Sequence, residues 1–392
     1  MKNLLVFESP ITSLSGCGEH AREIASYLIK MDSEFDIYFV DSRWGTSQKS
    51  MKFNDSDITR IFNKQLTDDD VSDIHVYIKL GSPSEFKKIG KHNIGISAVV
   101  ESTLCHDSFL HGCNKMDQVI VSSEFSKTTL EDSYSHHSIP AQTSINIIPE
   151  CVYYTSQPTT THDSRSVSDF MEGVDEEFCY LYNGAWDLDH TTDRKNVDTL
   201  IRTFIHAFKD IDEKPALVLK THNRNFSESD YTKIYKSIQT IIKDSHIKTP
   251  SIYLLHGNLT PGQLESLYSH DKIKCGLNMS HGESFGRPIL ETILANKPIL
   301  IPSWSGPLDY LPNDLFHIGG RLVENPEVDG SFIKGGNWFD VDTSSASTKI
   351  LDVFSEIENY QLEIQEISKQ LTSKYNKNSI FNKYKQLLDS YL

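Results

Sequence analysis

Short apolar runs alternate along the chain with stretches whose apolar residues recur at helical spacing. Residues 4–7 predict a first strand, and Ala21, Ile24, Ala25, Leu28 and Ile29 mark one face of a helix after it. Strand-like runs recur at residues 36–40, 76–80, 94–100, 119–122 and 145–148. Strands alternating with helices predict a parallel sheet covered on both faces. Residues 154–176 break the rhythm: they are rich in Thr, Ser and Asp and predict a polar linker or mobile loop. The alternation then restarts with a strand at 178–182 and a helix faced by Val197, Leu200, Ile201, Phe204, Ile205 and Phe208. A strand at 216–219 and a helix faced by Ile234, Ile238, Ile241 and Ile242 follow, then strands at 252–255, 275–279 and 299–301. Phe381, Tyr384, Leu387, Leu388 and Tyr391 share one face of a last helix. The pattern predicts an α/β protein of two facing Rossmann-like domains, residues 1–153 and 177–360, with helices over 361–392 packing back toward the first. Ligands of such sheets bind outside the carboxyl ends of the strands, so a deep interdomain cleft is the expected site.

Composition narrows the function. At 392 residues and 38% hydrophobic, the chain can fill two cores. A net charge of -16 argues against a broad electrostatic grip on nucleic acid or anionic lipid. The local basic cluster Lys87, Lys88, Lys91 and His92 reads as a solvated face. The six cysteines are scattered, with no paired or metal-binding spacing, which predicts unbridged thiols in a reducing compartment. No apolar stretch approaches the length of a membrane span. A soluble, cytoplasmic protein is expected.

The densest chemistry lies in His281-Gly282-Glu283-Ser284-Phe285-Gly286-Arg287-Pro288-Ile289-Leu290-Glu291. An apolar run precedes it, and Ile289, Leu290, Ile293 and Leu294 follow at helical spacing. Glu283 therefore falls in a strand-to-helix loop, and Glu291 about one turn into the helix. Pro288 suits a first helical turn and Asn296 a C-terminal cap. The open N–H groups of such a helix start suit a phosphate, and the second carboxylate suits a sugar diol. This stretch resembles the Glu-x7-Glu motif of retaining glycosyltransferases of the GT-B fold, in particular family 4 and a subset of it found in bacteria and tailed phages. Phe285 and Gly286 stand where that family has them.

Other stretches follow in the family's order. Asp193-Arg194-Lys195-Asn196 opens a helix after the strand ending in Asn183-Gly184, and two cations at a helix start form a pyrophosphate clamp. The resemblance makes Lys195 the phosphate-binding lysine. It leaves Arg194 as substitute for an arginine that many members carry directly after the glycine, where this chain has Ala185. Lys220 ends a strand resembling one in the same subset and reads either as a second phosphate contact or as a strand-end lysine. His256-Gly257-Asn258 resembles the turn that takes the nucleobase through backbone groups, and Trp304-Ser305-Gly306-Pro307-Leu308-Asp309 resembles a loop packing under the donor site. In the first domain Gly16-Cys17-Gly18-Glu19-His20-Ala21 has the form of a dinucleotide fingerprint, with Asp41 as the ribose acid. The glycines fall well past the strand end, however, so a longer Gly-rich loop approaching donor phosphate and acceptor is the preferred reading. Either Glu101 or His106 faces the acceptor.

The resemblance implies transfer of a sugar from a UDP- or GDP-sugar to a hydroxyl, with retention and without metal or other cofactor. Lys195, Lys220 and backbone N–H groups of Ser284, Phe285 and Gly286 would stabilise the departing phosphate. Glu283 would orient the sugar, and Glu291 would hold the ribose. The Asp-x-Asp triplets, Asp187-Leu188-Asp189 and Asp340-Val341-Asp342, and the run Asp68-Asp69-Asp70 read as surface acids. The acceptor stays open among a glycan, a lipid-linked sugar, a protein, a metabolite and a hydroxymethylated DNA base. Two other classes compete: an NAD(P)-dependent oxidoreductase built on the glycine fingerprint, and a non-catalytic carbohydrate-binding or scaffold protein.

Overall fold

The computed structural model describes residues 2–45, 47–50, 53, 55–67, 72–98, 101–152, 165–188, 193–223, 225–327 and 332–392. The expected acidic run at 68–70 and Asp189 lie outside them, as do the last two residues of the strand expected at 94–100. The chain forms two compact units. One comprises Met1–Cys151, Glu324–Asn337 and Tyr375–Leu392, and the other Val152–Val323 and Trp338–Lys374. The C-terminal stretch is thus shared between them, changing unit at Tyr375.

The first unit holds strands β1 (Asn3–Ser9), β2 (Phe35–Asp41), β3 (Val76–Leu80), β4 (His92–Ser97), β5 (Gln118–Val121) and β6 (Ser144–Ile147). They pair in parallel in the order β2-β1-β3-β4-β5-β6. Helices α1 (Gly16–Ile29), α2 (Ser56–Phe62), α3 (Asp107–Cys113) and α4 (Glu124–His136) cover it. Both faces are buried: Leu5 and Phe7 join one apolar cluster with α1, and Val6 joins another with Phe109 and Leu130. Burial on both sides explains why these strands read as continuous apolar runs.

Of the linker predicted at 154–176, residues 154–164 lie outside the described residues, and α5 (Arg165–Glu172) stands in the rest as the first described helix of the second unit. Val167, Met171 and the following Val174 are buried against Leu267 and Tyr268. Two apolar side chains one turn apart suffice for a short helix once a tertiary surface receives them, which overrides the polar composition. Then come β7 (Cys179–Ala185), α6 (Val197–Ala207), β8 (Ala216–His222), α7 (Glu228–Ser245), β9 (Ile252–Leu255), α8 (Pro261–Ser269), β10 (Ile273–Leu277), α9 (Arg287–Leu294), β11 (Ile299–Pro302) and β12 (His317–Ile318). The sheet is again parallel, in the order β12-β11-β10-β7-β8-β9. A hairpin of β13 (Gly320–Glu324) and β14 (Asn337–Val341) precedes α10 (Thr343–Ser355) and α11 (Ile357–Lys374).

The last helix, α12 (Lys377–Asp389), belongs to the first unit and buries Ile380, Tyr384 and Leu388 in the cluster beside α1. Tyr384 stacks on Tyr27 with ring centroids 5.8 Å apart. Among the described residues no helix is long and apolar enough to cross a membrane. No two of the six cysteines are joined.

Candidate functional site

The strand order of the second sheet reverses at β7, which lies between β10 and β8. The crevice outside the carboxyl ends of β7 and β10 is therefore its switch point, the place where ligands of open α/β sheets bind. Two loops meet there. In the loop after β7, the Asp193 carboxylate accepts hydrogen bonds from Val197 N (2.6 Å) and Asp198 N (3.4 Å) and so caps α6. Asn196 takes a left-handed φ of 55°, which suits Asn or Gly. The loop after β10 is tied to it: His281 N donates to Arg194 O (2.9 Å), and Arg194 Nη1 donates to Gly282 O (2.9 Å).

This stitching brings Glu283, Lys195 and Arg194 together. Lys195 Nζ donates to Glu283 Oε1, and Arg194 Nη1 lies 3.8 Å from Glu283 Oε2. The backbone of Glu283 is held as well, its N–H donating to Ser305 Oγ (3.1 Å) and its carbonyl accepting from Gly306 N (3.0 Å). Tyr310 Oη donates to Phe285 O (2.7 Å) and Gly286 O (3.1 Å), so the 304–309 loop and its neighbour pack beneath the motif, as expected. Burial alone would push the Glu283 carboxyl up. The charges of Lys195 and Arg194 and hydrogen bonds from Lys195 and Ser280 outweigh it and hold the group below the usual carboxylate range. Glu283 is thus a buried, ionised acceptor locked to cations.

Ser284, Phe285 and Gly286 lead into α9, all three buried. Gly286 caps the helix with φ +80° and no side-chain bond, and Pro288 stands in the first turn. At the other end Lys297 N donates to Thr292 O (3.1 Å) around Asn296, whose φ is 57°, the C-terminal cap expected there. Glu291 projects from α9 into a hydrogen-bonded relay that sequence reasoning missed. Asn183 Nδ2 donates to Tyr268 Oη (2.7 Å), which donates to Glu291 Oε2 (3.0 Å). In sequence Tyr268 is only one more apolar position on a helix face, and nothing there marks the reach of its hydroxyl.

Lys220, beside Asn183 in the β7–β8 register, is 7% exposed. Its ammonium lies 5.5 Å from the centre of the Phe226 ring, and among the described residues it has no carboxylate partner. Burial pushes it down to about 8. His222, two residues on, is pushed down to about 4 by burial and then by Lys220. Gly257, with φ 145°, and the exposed Asn258 form the turn after β9, where His256 Nε2 meets Asp230 Oδ2 at 3.1 Å.

The remaining predicted residues belong to the first unit. Gly16 and Gly18 sit in the first turn of α1 rather than in a loop, capped by Ser15, whose Oγ accepts from Gly18 N (3.2 Å). A Cβ on Gly18 would stand 2.0 Å from Ser13 O, so packing against the preceding turn accounts for this glycine. β1 ends at Ser9, well before Gly16, and Asp41 is engaged by Thr12 Oγ1 (2.8 Å) and Lys49 (2.6 Å). The dinucleotide reading thereby loses both its strand-end glycine and its ribose acid. Glu101 is half-buried in the loop after β4. His106 caps α3, its Nδ1 accepting from Ser108 N at 3.1 Å. Asp342 of the second triplet caps α10.

No family model and no curated protein sequence matches the chain. Solved structures share its fold. Alpha,alpha-trehalose 6-phosphate synthase from Burkholderia multivorans superposes with a TM-score of 0.63 at 9% identity, covering 100% of this chain and 99% of that one. Sucrose-phosphate synthase from Thermosynechococcus elongatus gives 0.62 at 11% identity, with 99% of both chains covered. Against the GtfA/B complex the score is 0.52 at 16% identity, and the match spans 81% of this chain but only 57% of that one. At such identities the likeness is one of fold, the GT-B class of two Rossmann-like units.

Proposed function

We propose that the chain is a glycosyltransferase resembling family 4, moving a sugar from a UDP- or GDP-sugar to an acceptor hydroxyl with retention and without a metal. The observation that carries this reading is the buried Glu283 carboxylate held between the part-buried cations Lys195 and Arg194 at the switch point of the second sheet. A diphosphate entering there meets Arg194, Lys195 and Lys220, which oppose the charge that grows on the leaving phosphate. Glu283, released from Lys195 by the phosphate, accepts hydrogen bonds from sugar hydroxyls. Glu291, steadied by Tyr268, takes the ribose diol, with Gly257 and Asn258 beside the base. In a front-face reaction the bond from the anomeric carbon to phosphate breaks, the acceptor oxygen bonds to the same face, and its proton passes to the departing phosphate oxygen. Gly16 and Gly18 of the first unit are assigned donor-binding roles, and Glu101 a catalytic role toward the acceptor. The acceptor class stays open as before. Unbridged cysteines fit a cytoplasmic setting. The likeness in fold to proteins named as sucrose-phosphate and trehalose 6-phosphate synthases supports the reading.

The test needs no acceptor. Nucleoside diphosphate release is measured across a panel of UDP- and GDP-sugars, and at least one is hydrolysed. Glu283→Gln and Lys195→Ala each lower that rate by roughly 100-fold or more. Full activity in both variants, or no turnover and no binding of any sugar nucleotide by the wild type, overturns the assignment.

A further inference from the structure

His281 stands two residues before Glu283, and every part of it but one ring nitrogen is committed. Its N–H donates to Arg194 O (2.9 Å) and its carbonyl accepts from Phe339 N (2.9 Å). Its ring lies flat on Trp338, with centroids 4.1 Å apart and planes 12° from parallel. Its Nδ1 lies 2.7 Å from Phe339 O. A carbonyl oxygen has no proton to give, so Nδ1 carries the hydrogen and donates it. In a neutral imidazole the proton on Nδ1 leaves Nε2 with its lone pair exposed. Among the described residues Nε2 has no hydrogen-bond partner, and the residue is only part-buried. The tautomer, the ring plane and the backbone are thus all fixed, and what they present is one acceptor atom in the loop that carries Glu283.

We propose that His281 is a specificity-determining residue whose Nε2 accepts a hydrogen bond from a hydroxyl of the donor sugar. The inference rests on the sugar-nucleotide reading above and adds a named contact to it. A neutral ring in this place suits a hydroxyl, which can donate, and not a phosphate oxygen, which cannot. The shared loop favours the sugar that Glu283 holds. Burial pushes the imidazole below its ordinary range and Arg194 adds to this, while the hydrogen bond to Phe339 and the charge of Asp340 act the other way. The net direction keeps the ring neutral at pH 7.

The test separates the sugar from the nucleotide. Binding of UDP-glucose, UDP-N-acetylglucosamine and GDP-mannose, and of UDP and GDP alone, is measured by calorimetry on the full chain. In His281→Asn the amide nitrogen replaces Nδ1 and can still serve Phe339 O, but nothing reaches the Nε2 position. The variant weakens the sugar nucleotide that the wild type binds by about five-fold, and leaves the matching free nucleotide unchanged. His281→Gln, whose amide oxygen can reach the Nε2 position, recovers at least half of the lost affinity. Lowering the pH below the ordinary histidine range weakens sugar-nucleotide binding in the wild type, because a protonated Nε2 no longer accepts. The same titration of His281→Asn is flat, although Arg194, Glu283 and Asp340 still face the position. Equal affinity of wild type and His281→Asn, or a loss shared equally by free nucleotide and sugar nucleotide, overturns the proposal. Should the wild type bind no sugar nucleotide, it is the parent reading that fails.

Discussion

Lys220 is a nine-tenths buried cation with no counter-charge among the described residues. A lysine whose folded value lies near 8, against an ordinary 10.5, binds its proton less tightly folded than unfolded. The native state is therefore penalised fully below about pH 8, and the penalty fades as pH rises through 10.5. Replacing the residue in Lys220→Met should raise unfolding stability at pH 7 by on the order of 3 kcal/mol, with the advantage gone above pH 10.5. Urea unfolding at several pH values checks this, and a destabilised variant at pH 7 refutes it. The same change should weaken nucleotide binding, the usual trade of stability against a prepared site. Glu283 and Glu291 are legible as candidates because of their spacing within one motif, and Lys195 because a cationic pair opens the helix after β7. Tyr268 was not, since its contact depends on α8 delivering a hydroxyl between Asn183 and Glu291, residues far apart in sequence.

At the scale of elements, the loop between β10 and α9 is shaped as much by what lies beneath it as by its own residues. A Cβ on Gly306 would stand 2.1 Å from Ser284 O and 2.9 Å from Glu283 O. Gly306→Ala should therefore displace the Glu283 backbone, cost about 1–3 kcal/mol of stability, and weaken sugar-nucleotide binding. A melting curve and a ligand titration measure both effects, and an unchanged titration would mean the loop is not held from below. The strand and helix that flank this loop were readable from the switch between continuous apolar and helical periodicity. Helix α5 was not, because Val167 and Met171 are too few to mark a face until α8 receives them. The first turn of α1 resembles a loop in sequence for the converse reason. Glycine is a poor helix former, and only the cap at Ser15 and the tight approach of Ser13 explain Gly16 and Gly18 there.

For the whole molecule, the positions of β1 to β11 came from the sequence to within a few residues, whereas β12, β13, β14 and the strand order did not. Nothing in β7 itself announces that β10 will pair on its other side. In the sequence α12 shows an amphipathic face expected to pack toward the first domain, but nothing there marks the cluster beside α1 that receives it. Leu388 is fully buried in the cluster with Leu28 and Phe35, so Leu388→Ala should cost about 2–5 kcal/mol. Guanidinium unfolding measures it, and an unshifted midpoint would show that α12 is dispensable to that core. There is a consequence for biosynthesis. The ribosome releases Cys151 about two hundred residues before Tyr375, and at roughly 5–20 residues per second that interval lasts some ten to forty seconds. During translation the nascent first sheet must wait with the seat of Tyr384 and Leu388 uncovered, so this lobe, though made first, matures last and offers chaperones a timed target.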